Sequence, residues 1–161
     1  MHSKIFQITK NKLKKENFLT EDTLFQGEGS RYDYCSEIDE DERQDVIQIL
    51  VNEILPKGMF ELINDNILIY KGGIEKWKDD YISNIKTKTQ ELTPDNITEW
   101  IGSVYQLEKT IKNPLDTGFQ FYFEEEPLQG YAEESYGLLC FINGLEKGAR
   151  LYIGGVIDYH F

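Results

Sequence analysis

Cysteine is nearly absent from this chain: there are two among 161 residues, Cys35 and Cys140. They lie far apart without CxxC spacing, which excludes a paired redox motif and a four-cysteine zinc site. Both read as ordinary thiols, with Cys140 expected in the core. Histidine is as scarce, with only His2 and His160. Long apolar runs are missing too, since stretches such as Ile67 to Tyr70 fall far short of the ~20 residues needed to cross a bilayer. The segment Met1 to Ile8 alternates like a strand and lacks the apolar region and cleavage site of a secretory signal, so a cytoplasmic location is expected. On that expectation the Asn96-Ile97-Thr98 sequon carries no weight. Basic charge is the other shortage: 17 Lys and Arg face 29 Asp and Glu, a net charge of −12. That balance excludes direct nucleic-acid binding, which needs clustered cations on phosphates, and disfavours an anionic membrane surface.

What the chain does have is material for one core. With 40% hydrophobic and 13% aromatic residues and only 4 prolines, it lies outside the polar, aromatic-poor range of disordered chains. Its length fits a single domain over residues 1–161. Charge is unevenly spread. Residues 1–15 carry five lysines and no acid, residues 16–45 carry eleven acids against Arg31 and Arg43, and residues 114–161 carry eight against Lys147 and Arg150.

Lys4 to Thr9 predicts a strand with Phe6 and Ile8 on one face. Residues 16–38 show no sustained periodicity and read as a long irregular segment with short strands near Leu24 and Tyr32 to Cys35, a class of loop that is often functional. Asp39 and Glu42 have capping-box spacing ahead of Ile47, Leu50, Val51 and Ile54, which predicts a helix. Met59 to Ile63 and Ile67 to Tyr70, flanking Asn64-Asp65-Asn66, predict a hairpin. Gly72-Gly73 opens a second helix carrying Ile74, Trp77, Tyr81, Ile82, Ile85 and Leu92. Thr93-Pro94 predicts a third, from an N-cap and Pro at N1 through Ile97, Trp100, Ile101, Val104, Leu107 and Ile111 to a stop at Asn113-Pro114. Gly118 to Glu124 alternates as a half-buried strand. Leu138, Leu139, Phe141, Ile142 and Leu145 favour a helix, although the glycines around them leave a strand open. Arg150 to Phe161 predicts the last strand, with Gly154-Gly155 marking a bulge or close backbone approach. The sum is an α+β domain, a mostly antiparallel sheet with three to four helices packed on one face.

Asp158 and His160, two apart on that strand, point the same way, where a carboxylate could orient an imidazole. The plain alternative is a polar pair on the solvent face, with Ile157, Tyr159 and Phe161 facing the core. Asp39, Asp41 and Asp45 do not make a calcium loop, because Gln44 and Leu50 stand where glycine and a bidentate glutamate are required. Gly27-Glu28-Gly29-Ser30 lacks the ending of a phosphate-binding loop, and no nucleophile elbow or zinc helix is present. No motif calls for a cofactor or defines a metal ligand set.

The acids Glu37, Glu40, Asp41, Asp45, Glu124, Glu125 and Glu126, interleaved with surplus tyrosines, are instead the features expected of a surface for a basic partner. The expected function is a non-enzymatic acidic binding protein that engages and inhibits a basic protein, such as a nucleic-acid-binding enzyme, in the manner of immunity proteins or anti-defence inhibitors. The alternatives are a small metal-assisted hydrolase using His160 and Asp158, or a structural module that self-associates, including as a homo-oligomer.

Overall fold

The computed structural model describes residues 1–161. Ten regular elements follow one another: β1 (His2–Thr9), β2 (Tyr34–Glu37), α1 (Glu40–Ile49), β3 (Phe60–Ile63), β4 (Ile67–Tyr70), α2 (Ile74–Gln90), α3 (Tyr105–Lys112), β5 (Gln120–Tyr122), α4 (Ser135–Ile142) and β6 (Arg150–His160). The six strands form one sheet in the order β3-β4-β6-β1-β5, with β2 on the far half of β6. All pairings are antiparallel except that of β1 with β5. This is an α+β fold, and residues 135–142 adopt the helical alternative. No helix is long and apolar enough to cross a membrane.

β1 is buried on both faces, which its sequence pattern does not announce. Phe6 and Ile8 join the larger core with Val46, Ile47 and Leu50 from α1 and the turn after it, Ile74 and Trp77 of α2, and Leu138, Leu139 and Ile142 of α4. Ile5 points to the other face, into a second cluster with Leu19, Leu24, Tyr32, Cys35, Ile157 and Tyr159. Residues 16–38, irregular apart from β2, are therefore a second core layer: their apolar residues cover the back of the sheet, and helices cover the front.

The glycine pair of β6 is a bulge. Phe6 faces Val156 while Ile8 faces Ile153, so three steps on β6 oppose two on β1. Gln7 fills the gap. Its Oε1 accepts from the N–H groups of Leu19 (2.7 Å) and Gly155 (3.0 Å), and its Nε2 donates to the carbonyls of Asn17 and Glu124, both at 3.0 Å. A fully buried amide with both lone pairs and both protons engaged costs little and locks three segments together.

Three expectations are corrected. The third helix does not start at Thr93. Thr93 and Asn96 exchange bonds as a cap would, but Asn96 also holds the carbonyl of Glu91. The chain then runs through a wide turn at Trp100–Val104, extended at Ile101 and with φ +123° at Gly102. Glycine takes that conformation freely, and with no residue buried from Lys78 to Lys112 little packing supports a longer helix. Cys140 is exposed and Cys35 is the buried thiol, because Cys140 falls on the outer side of α4 whereas Cys35 lies against the back layer. Phe161, expected to face the core, is exposed past the end of β6.

Candidate functional site

Asp39 caps α1, its Oδ1 accepting from the N–H of Glu42 at 2.8 Å, which fixes where the acids of the first turn point. Glu40 lies 3.6 Å from the Arg43 guanidinium. Burial holds that guanidinium below its ordinary pKa, and it donates into the bulge at the carbonyls of Ile153 and Gly154. Glu42 takes a 2.7 Å bond from Lys4. Three of the acids at this end of α1 thus serve the fold. Asp41 and Asp45 have no side-chain partner: both are exposed, neither enters an ion pair or a hydrogen bond through its carboxylate, and Asp41 meets only the positive end of the α1 dipole. At i and i+4 they share a face, where like charges cost about 0.2–0.5 kcal/mol. Glu37, at the end of β2, is exposed and shares a shallow cleft with Glu40, Arg43 and Lys15.

Glu124, Glu125 and Glu126 are all exposed on the loop after β5. Its two ends are pinned by Tyr122, whose hydroxyl donates to the Leu128 carbonyl at 2.7 Å and accepts from the Leu128 N–H at 2.8 Å. This loop lines a concavity of its own with Phe123 and Leu128. The lysine-rich segment after β1 touches both acidic groups. Asn11 donates to Glu125 at 2.7 Å, and Lys15 sits in the cleft with Glu37 and Glu40. Of the tyrosines, Tyr32, Tyr122 and Tyr159 are spent on the back layer, while Tyr34, Tyr131 and Tyr136 are exposed.

A third cluster joins both ends of the chain. Strand pairing sets His2 opposite His160, Lys4 opposite Asp158 and Tyr34 opposite His160. Asp158 is nearly buried, not on the solvent face, and its carboxylate does not hold His160. Oδ2 meets His2 Nδ1 at 2.8 Å and Oδ1 meets Lys4 Nζ at 2.6 Å. Burial would raise the Asp158 pKa, but the bonds from Lys4 and His2 prevail and hold it below its ordinary value; burial would likewise lower Lys4, but its bonds to Asp158 and Glu42 lift it above its own. The other His2 nitrogen, Nε2, lies 3.0 Å from the Tyr34 hydroxyl. His160 turns instead to Asp33, 3.0 Å from Nδ1, and stacks on the Tyr34 ring at 5.3 Å.

The pairing of Asp158 with His160 expected from their spacing is therefore not formed: Asp158 holds His2 and Lys4, and His160 turns to Asp33. Lys4, Tyr34, Asp33 and Glu42 were missed because only tertiary pairing brings them there, and the only local signal was that His2 had the same alternating phase as Lys4. No three His, Cys, Asp or Glu side chains are arranged to hold a metal ion. With Nδ1 facing a carboxylate, His2 donates there, and its neutral form accepts at Nε2 from Tyr34. The line Tyr34–His2–Asp158 thus has the order hydroxyl, base, orienting acid. No protein-family model, curated protein or solved structure matches the chain.

Proposed function

We propose that the protein is a non-enzymatic acidic binding protein, working in the cytoplasm, that engages a basic protein and inhibits it by covering its cationic surface. A nucleic-acid-binding enzyme is the partner class whose charge fits. One observation carries the reading: Asp41 and Asp45 keep two like charges side by side on an exposed helix face, with no cation from this chain to offset them. Asp39, Glu40 and Glu42 all have structural work, so the unpaired two are the ones a partner can use. Glu37 extends that surface, and Glu124 to Glu126 provide a second contact zone. Electrostatic steering of this kind acts mainly on the rate of association.

The test is affinity capture from the native host with the wild-type chain and with Asp41→Asn/Asp45→Asn, followed by association kinetics at two salt concentrations. A captured basic protein whose association slows with salt and slows further in the double variant supports the reading. A partner bound equally fast by both chains at all salt concentrations refutes it.

A second reading, a small hydrolytic enzyme, draws on the Tyr34–His2–Asp158 line. It replaces the pair His160 and Asp158, since both Asp158 oxygens are occupied by Lys4 and His2. In this scheme the Tyr34 oxygen attacks an activated ester carbonyl as its proton passes to His2 Nε2, the alkoxide or phenolate leaves carrying that proton, and water deprotonated by His2 then slowly cleaves acyl-Tyr34, releasing the acid and restoring the Tyr34 hydroxyl. Incubation with p-nitrophenyl acetate should then acylate Tyr34 and release one equivalent of p-nitrophenolate, and His2→Ala should abolish this. No acylation of Tyr34 would remove the reading.

A further inference from the structure

The part of the molecule that neither the acidic surfaces nor the histidine cluster uses is the arm formed by α2, α3 and the turns between them. Only its base, at Ile74 and Trp77, is buried in the core. Beyond Trp77 the two helices pack on each other, with the Tyr81 hydroxyl donating to the Ile111 carbonyl at 2.7 Å. The tip carries Ile97, Trp100, Ile101 and Tyr105, exposed by 51%, 57%, 90% and 46%. Monomeric surfaces scatter single apolar residues, but here four large ones are exposed within nine positions, beside a glycine whose missing side chain would point into open space, so exposed apolar area is concentrated at this tip.

We propose that this tip pairs with the same tip of a second copy of the chain, making a symmetric dimer. Charge selects the occupant. Residues 74–112 hold six lysines and seven acids, a net −1, whereas the rest of the chain carries −11. Two copies, each with a net charge of −12, repel on the whole, and the near-neutral arm is a face on which they can approach without adding to that repulsion. It offers a basic protein almost no attracting charge. Area allows it: the four residues leave on the order of 500 Å² exposed per copy, so a two-fold contact that covers all of them buries up to about 1,000 Å², about what a specific interface needs. A two-fold pairing uses one patch twice and closes on itself. Gly102, without a side chain, lets the two backbones come close.

This dimer is independent of the acidic reading, and its salt dependence has the opposite sign. Screening weakens repulsion between like-charged copies, so self-association tightens as salt rises, whereas binding to a basic partner slows. The experiment is sedimentation velocity on the full chain over roughly 1–200 µM at low and high salt, with tryptophan emission followed in parallel. The expected result is a concentration-dependent rise to twice the monomer mass, stronger at high salt. A blue shift should accompany it, arising from Trp100, because Trp77 is already buried. Ile101→Glu, at a position 90% exposed and so not needed for the monomer fold, should weaken the dimer at least ~10-fold and leave dilute-solution melting unchanged. A wild-type chain that stays monomeric throughout overturns the proposal, as does a dimer that Ile101→Glu does not weaken. A monomer whose Trp100 emission shifts only on phosphatidylcholine vesicles overturns it in favour of a lipid surface.

Discussion

Replacing Gln7 with leucine tests whether the bulge is held by a side-chain amide. The volumes are similar, so the change removes hydrogen bonds and opens little space. It strips the partner from two buried N–H groups, those of Leu19 and Gly155. Each costs about 1–3 kcal/mol when left unsatisfied. The carbonyls of Asn17 and Glu124 are only partly buried and regain water. Allowing for the apolar gain of leucine, the net loss is about 2–4 kcal/mol, which for a chain of this size lowers the melting temperature by about 5–15 °C. Because Glu124 loses its tether, the acidic loop should also loosen, seen as faster amide exchange at residues 123–128 than in the wild type. Thermal melting by circular dichroism with hydrogen exchange reads both effects. A melting temperature within about 2 °C of wild type would refute the claim that Gln7 organises the bulge. The companion variant Gly155→Ala should destabilise comparably by another route, since a methyl there collides with the Leu19 backbone.

Asp158→Asn should destabilise the fold by about 1–3 kcal/mol at neutral pH, as two charge-assisted bonds weaken. Because the folded-state pKa of Asp158 is lowered from the ordinary value of 3.8, the wild-type stabilisation is present above that pH and lost as pH falls through the lower folded value. The difference between wild type and variant should thus shrink on acidification, and denaturant titrations from neutral to strongly acidic pH check it. Asp41→Asn/Asp45→Asn should change stability by less than about 1 kcal/mol, since the dipole stabilisation lost at Asp41 in the first turn of α1 is offset by relief of the like-charge pair; a larger loss on melting would mean that the acids are structural. Ellman's reagent should label one thiol in the native protein, Cys140, and the second only on unfolding, because Cys35 is buried with its thiol pushed up to about 11, foremost by burial and then by Glu21 and Asp158. Rapid labelling of both would contradict the back layer.

Short-range physics was legible in the chain. The Asp39 cap, the hairpin turn with positive φ at Asn64 and Asp65, and the helix starting after Gly73 at φ +105° each depend on residues within one turn of one another. The bulge at Gly154-Gly155 was legible for the same reason. The acids expected to be free, Glu40, Asp41 and Asp45 among them, were legible as exposed, but that Glu40 faces Arg43 and that the capping-box Glu42 is spent on Lys4 was not. The N-terminal half of the third helix failed, and only Tyr105–Lys112 is helical, because Ile97, Trp100 and Ile101 have no packing partner, and a stripe says nothing about whether one exists. What only the tertiary structure decided are contacts across the length of the chain: His2 on Asp158, Gln7 on Gly155, and the parallel pairing of β1 with β5. Periodicity records which face of a segment is apolar, but not which distant segment covers it. Strand β1, apolar on one visible face and covered on both, shows how much of the candidate site that second fact determines.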